Sequence, residues 1–276
     1  MLTSKNNDVS YHMNKPFHLL QKNYNNIYFG SDFHYNHQRD FLWKPRGFKS
    51  YQEHDKFIEE QCESLTKNDL LIYLGDYSLN TTDEQTLSLL RRTKAKMLYV
   101  FGNHEGFHSR FYRNSLHKFY KSFINQEDVN NGMAEDHASL HGMNFVSSTP
   151  FQIFPFSVGK DDNEGFAGMS NYNDGTITYF GEECYLRINN SFIFCRHMAP
   201  LIWDKMKYEN YYALCGHSHG NCDKLNVDSQ FGKIFDVGVD NAIKYNGSAF
   251  FKIAEIEQIM KNKTVKIFDH HGDDNV

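Results

Sequence analysis

The chain has 276 residues, 40% hydrophobic and 23% charged, with a formal net charge of −5, which is the balance of a globular protein of one large domain or two modest ones. No apolar run approaches the roughly 20 residues of a membrane span, and the opening MLTSKNNDVSYHMNKPFHLL lacks the basic head and apolar centre of a secretory signal, so a cytoplasmic protein with no membrane partner is expected. Nothing resembles the basic face that tracks a phosphate backbone, which weighs against a long nucleic acid as partner.

Residues 1–25 are polar and rich in Asn and Lys, and read as a loosely held leader before a single domain over 26–276. NIYFGSDFH begins as a buried strand and breaks into small and polar residues. Ser50 and Glu53 have capping-box spacing and start a helix that runs to about Leu65. DLLIYLGD is a second short apolar strand ending in Gly-Asp. Thr82 and Gln85 cap another helix, with Leu87, Leu90 and the stem of Arg91 at helical spacing, and KMLYVFGNHE is a third strand ending in a polar loop. Strands that alternate with helices and end in polar clusters predict an α/β sheet with ligands beyond its carboxyl ends.

The pattern then changes. Residues 107–150 are mixed and partly helical, and 157–178 are Gly/Asn/Asp-rich and read as a long loop of the kind that is functional or mobile in a compact domain. CYLRINNSFIFCRH is a hairpin turning at Asn189-Asn190. YYALCGHSHG repeats the theme of a strand followed by a polar loop, KIFDVGVD closes the sheet, and FKIAEIEQIMKN is a terminal helix. The five cysteines show no C-x-x-C spacing and read as free thiols. Cys215 and Cys222 flank an H-x-H stretch, but structural zinc sites use tighter cysteine spacing.

Five strand ends carry residues of metal-ligand type: Asp32 and His34, Asp76, Asn103 with His104, His197, and His217 with His219. Singly, each has a plainer reading: a loop for D-x-H, a turn for Gly-Asp, a helix cap for GNHE, a core histidine for His197. Jointly, they would gather on one rim of a sheet. Residues i and i+2 of an extended segment point the same way, which would pair Asp32 with His34 and His217 with His219. Imidazole and carboxylate together suit Mn, Fe, Zn or Ni, and a carboxylate can bridge two ions. Even without His104, four histidines, two aspartates and an asparagine amide suffice for two ions and exceed the needs of one. Carboxylates gathered this way would repel one another, and a pair of dications is the natural counter-charge.

The ordered set D-x-H, GD, GNHE, H, GHSH resembles the calcineurin-like metallophosphoesterases over about residues 26–257. It looks closest to the compact bacterial and phage branch, through DFHYNHQRDF, RGFKSYQEHDKFIEE and the VGVD strand with the helix after it. The resemblance implies a central two-sheet β-sandwich flanked by helices, a four-layer αββα fold, with two divalent ions at its rim, Mn²⁺ foremost and Fe, Zn or Ni as alternatives. Asp32, His34 and His219 would hold one ion, Asn103, His197 and His217 the other, and Asp76 would bridge them. His104 would be the general acid, oriented by Glu105, and a hydroxide bridging the ions would attack phosphorus in line.

Two features depart from the commonest pattern of that family. Arg196 precedes His197 where a small hydroxyl residue is usual, and is either a phosphate-binding guanidinium or a surface arginine. The segment about 107–183 exceeds a minimal member and would form a cap over the site. His37 could touch substrate or be a solvated loop histidine, and Arg46 could reach phosphate or form a surface salt bridge. The C-terminal DHHGDD reads as a frayed tail. The expected activity is hydrolysis of a small or nucleotide-type phosphodiester. The alternatives are a phosphoprotein or nucleotide phosphomonoesterase, a nuclease (RRTKAK at 91–96 being the notable basic run), or a binding scaffold that has lost catalysis. Oligomeric state is not legible.

Overall fold

The computed structural model describes residues 17–90, 92–104, 156–157, 177–181, 183–222 and 231–267. Two mixed sheets face each other. One has the strand order β11-β2-β3-β4-β6-β5, built from β2 (Ile27–Gly30), β3 (Leu70–Tyr73), β4 (Lys96–Val100), β5 (Phe156–Ser157), β6 (Ile177–Gly181) and β11 (Phe251–Lys252). Its four central strands run parallel. The other has the order β1-β7-β8-β9-β10, from β1 (Phe17–Leu19), β7 (Glu183–Ile188), β8 (Ser191–Arg196), β9 (Tyr211–Cys215) and β10 (Ile234–Asp236).

Side-chain alternation builds the layers. Ile27, Phe29, Leu70 and Ile72 from one sheet meet Leu186, Ile193, Tyr212 and Leu214 from the other in the interior of the sandwich. The alternate positions Leu71, Tyr73, Met97 and Tyr99 are also buried, on the outer face, against Ile58 and Cys62 of helix α2 (Tyr51–Ser64), which follows the short α1 (Asp40–Trp43), and Leu89 and Leu90 of α3 (Asp83–Leu90). With both faces covered, these strands read as near-continuous apolar runs. On the outer face of the five-stranded sheet, Phe194, Ala213 and Ile234 pack against Trp203 and Met206. The expected architecture of a β-sandwich flanked by helices is the one observed.

Local signals act as expected. The Glu53 amide donates to Ser50 Oγ at 3.2 Å, while the Glu53 carboxylate accepts from the Lys49 amide at 2.7 Å, one residue ahead of the usual capping partner. Thr82 and Gln85 form the full reciprocal box at 2.9 and 3.2 Å. The hairpin closes with Ile188 opposite Ser191, and Asn189 takes the left-handed φ of 54° that such a turn requires.

Two boundaries move. Residues 17–19, expected in the leader, form an edge strand parallel to β7, with Leu19 buried in the interior of the sandwich. Their few apolar residues are hidden in an Asn/Lys-rich context and gain meaning only from a sheet edge supplied elsewhere in the chain. Residues 1–16 lie outside the described residues. Within the expected cap, β5 and β6 belong to the six-stranded sheet, so Ser157 and residues 177–178 are strand rather than loop. The rest of 107–183, with its expected helices and loop, lies outside the described residues, as does DHHGDD.

After β10 comes α4 (Val239–Asn246), and the expected terminal helix is observed as β11 leading into α5 (Ile253–Lys261). No helix among the described residues is long and apolar enough to cross a membrane. All five cysteines are free thiols.

Candidate metal centre

The loops after β2, β3, β4, β8 and β9 meet at one rim, where backbone bonds tie neighbouring loops within each sheet and one, from Val239 to Ser31, joins the two sheets. The Asp32 amide donates to Gly75 O at 3.0 Å, Gly216 N to His197 O at 2.8 Å and Val239 N to Ser31 O at 3.0 Å. This closeness needs glycine. A Cβ on Gly75, whose φ is +95°, would stand 2.3 Å from Gly102 N, and one on Gly216 would stand 2.1 Å from Ser31 Oγ. The glycines of GD, GNH and CGHSH are therefore what lets the strand ends converge.

Two ligand groups result, Asp32 with His34 and His219, and Asp76 with His197 and His217, each with one donor atom per residue lying within 4.8 Å of the others. The pairing rule for extended segments does not produce them. Asp32, His34, Asp76, His217 and His219 have φ of 61°, 48°, 59°, 69° and 50°, all left-handed and costly for residues with a Cβ. Asp32 and His34 still converge, but His217 and His219 separate into different groups, because consecutive tight turns rather than a pleat aim them.

The residues fit metal ions. His197 Nδ1 donates to the Leu74 carbonyl at 2.7 Å, and its Nε2 lies 3.0 Å from Asn103 Oδ1 and 3.3 Å from Asp76 Oδ2. With no ion present a proton on Nε2 serves these oxygens, and a divalent cation would take that proton's place among the same three atoms. Asp32 Oδ1 and both ring nitrogens of His34 are buried without a hydrogen-bond partner, which native structures rarely allow without a ligand or water. His34 Nε2 lies 3.8 Å from Asp32 Oδ1 and 3.5 Å from Asp76 Oδ2, so Asp76 borders both groups.

Electrostatics agree. Burial raises Asp32, with His197 and His219 opposing it. Burial also raises Asp76, but the hydrogen bond and charge of His197, with His34, outweigh it and hold that carboxyl at about 2. Burial lowers His197, yet Asp76 and Asp32 hold it up at about 9. His34 is pushed well below the ordinary imidazole range by burial, which suits a neutral ligand.

Asn103 and His104 stand exposed at the mouth. The His104 amide donates to Asp76 Oδ1 at 2.8 Å, and its ring centroid is 5.6 Å from that of His34. Glu105 lies outside the described residues. His37 is buried 5.8 Å from the His34 ring, its Nδ1 accepting from the Arg39 amide at 3.3 Å, so its proton sits on Nε2.

The two arginines are placed differently from the phosphate-binding reading. Arg46 has a fully buried side chain bound to Asp240. Arg196 follows Phe194 in strand alternation and lines a hollow of about 680 Å³ with Trp203, on the outer face of the five-stranded sheet. Strand parity, invisible without the register, turns it away from the ligand groups.

Sequence reasoning missed three neighbours of the site. Asp240, Asp236 and His54 were all within quoted motifs, and the i, i+4 spacing of the acids in DVGVD was the available signal. Asp236, fully buried, accepts from Ser218 Oγ and from the Gly238 amide at 2.8 Å, and burial together with the Asp32 charge raises it to about 7.

Among solved structures, the chain is similar to a protein of unknown function from Aquifex aeolicus, at 15% identity and a TM-score of 0.46, over 85% of this chain and 98% of that one. No curated protein matches its sequence. Residues 26–221, a span that takes in every residue of both ligand groups, match the family model of the calcineurin-like phosphoesterases. The chain belongs to the calcineurin-like phosphoesterase family and is a metal-dependent phosphoesterase.

Proposed function

We propose that the protein is a dinuclear phosphodiesterase in which Asp32, His34 and His219 hold one divalent ion, Asn103, His197 and His217 the other, and Asp76 serves both. The observation that carries this reading is the position of Asp76, whose Oδ2 lies 3.5 Å from His34 Nε2 of one group and 3.3 Å from His197 Nε2 of the other. Mn²⁺ is the ion we favour, because a mixed set of imidazole, carboxylate and amide oxygen is neither soft enough nor closed enough to demand zinc. When bound, the ions supply Lewis acidity toward the phosphoryl oxygens and a nucleophilic water at neutral pH.

The chain's own residues supply the rest. His104, exposed at the mouth and anchored through its amide to Asp76, is placed to give a proton to the leaving oxygen. His37, 5.8 Å ring to ring from His34 with its proton on Nε2, is a candidate donor to a phosphoryl oxygen. A diester is favoured over a monoester because neither candidate arginine offers charge to grip a dianion: Arg46 is spent inside the protein and Arg196 faces away. The basic run at 91–96 does not favour a nuclease either, since Arg92 pairs with Glu59 and Glu63. A small or nucleotide-type diester fits best.

The test compares bis(p-nitrophenyl) phosphate with p-nitrophenyl phosphate on Mn²⁺-loaded protein, alongside metal content. About two ions per chain and a higher kcat/KM for the diester are expected. A single bound ion with full turnover would remove the dinuclear reading, and a clear preference for the monoester would remove the diester one.

A further inference from the structure

Arg46 has five N–H donors, and five acceptors meet them. Nε donates to Asp240 Oδ1 at 2.9 Å. One terminal nitrogen serves the Phe33 carbonyl at 3.1 Å and His54 Nε2 at 2.8 Å, and the other serves the Asp32 carbonyl at 2.9 Å and Asp240 Oδ2 at 2.7 Å. That last nitrogen also lies 3.2 Å from His219 Nδ1, but both its protons are already committed to shorter bonds. His219 Nδ1 therefore keeps its own proton and directs it to Asp240 Oδ2, 3.3 Å away. The same count makes His54 Nε2 an acceptor, so His54 Nδ1 donates to Asp55 Oδ1 at 3.0 Å, and the donor and acceptor roles from Arg46 to Asp55 are mutually consistent.

We infer that Arg46 and Asp240 are positioning residues for one ion of the pair: Asp240 fixes the tautomer of His219 so that its Nε2 is the ligand atom, while Arg46 holds Asp240 and the carbonyls of Asp32 and Phe33. Ligand histidines are commonly oriented by a carboxylate on their other nitrogen, and such partners are worth about 10–100-fold in metal affinity. The grip on the Asp32 carbonyl has its own purpose, because Asp32 sits at φ +61° and a left-handed residue persists only where its surroundings impose it. Among the described residues, no hydrogen bond or ion pair of Arg46 or Asp240 reaches Asp76, His197 or His217, so the effect belongs to the Asp32 group alone. Lysine cannot substitute, since one ammonium cannot span the carboxylate and two carbonyls together.

This rests on the dinuclear reading proposed above, and the experiment separates the two. Calorimetric titration of metal-free protein with Mn²⁺ should show two ions in the unmodified chain and, in Asp240→Asn, one of them weakened about 10–100-fold with the other unchanged. Breaking a buried ion pair from one side strands a charge and can prevent folding, so Arg46→Met/Asp240→Leu, which removes both charges, is titrated as well. A folded double variant that binds both ions as tightly as the parent would reduce the pair to a structural role and overturn the inference. A third measurement needs no variant. In histidine-¹⁵N-labelled, Zn²⁺-loaded protein, His219 should carry its proton on Nδ1 with Nε2 shifted by the metal, and the opposite tautomer overturns the inference whether or not the variants fold. An unmodified protein that takes up no divalent ion would instead sink the functional reading itself.

Discussion

The two ligand groups share a rim and a chemistry but not an environment. Asp32 and His34 are buried, and behind their group stands the Arg46–Asp240 pair with His54 and Asp55. In the other group Asp76 and His197 are buried, with His197 held by a backbone carbonyl at 2.7 Å, while His217 and the neighbouring Asn103 are exposed. One group is buttressed from inside the protein and the other opens to solvent. Within one site, the first is suited to retaining an ion and the second to admitting substrate.

Asp76 borders both groups, so its loss should have the largest effect and the least selectivity. Asp76→Ala should release both ions and lower turnover by at least about 10³-fold, given that metal stabilisation of a phosphoryl transition state is worth several kcal/mol at 1.36 kcal/mol per tenfold. Retention of one full-affinity ion would show the groups to be independent rather than joined.

On the open side, His104→Ala should lower turnover roughly 10²–10⁴-fold, the worth of a general acid, with both ions retained and a smaller loss for a nitrophenolate leaving group. Asn103→Ala should instead weaken one ion. Metal lost from His104→Ala and kept in Asn103→Ala would reverse the two roles.

Metal removal tests the asymmetry directly. A carboxylate behind a ligand histidine is worth about 10–100-fold, so the ions should differ in affinity by at least about tenfold, and a chelator should remove them in two phases. Release in one phase would make the buttress irrelevant to retention. The smallest effect belongs to Arg196, which faces the Trp203 hollow. Arg196→Ala should change kcat/KM by no more than about twofold, as a surface substitution within about 0.5 kcal/mol does. A tenfold rise in KM would return that arginine to the substrate.

Much of this was legible in order along the chain. Strand ends at Asp32, Asp76, Asn103, His197 and His217 follow apolar runs, and the capping pairs Ser50/Glu53 and Thr82/Gln85 act within four residues, where local chemistry suffices. Leu19 was not legible, because an edge strand takes its meaning from a partner at Ile188 that lies far along the chain. The fates of the two arginines were not legible either: Arg196 depended on strand parity, and Arg46 on a carboxylate 194 positions away.

By itself, then, the sequence determined which residue types stand at the carboxyl ends of the strands, and with them the family and the call for metal. How those residues divide between two groups was implied only by the family resemblance, not by their spacing, and which side chains stand behind them was decided by tertiary structure. The five left-handed ligand positions and the glycines that leave no room for a Cβ where the loops meet make no extended pattern that spacing could reveal. The physical reason is that a ligand's direction is set by turns locked between two sheets, and those locks are hydrogen bonds between residues that only the fold brings together.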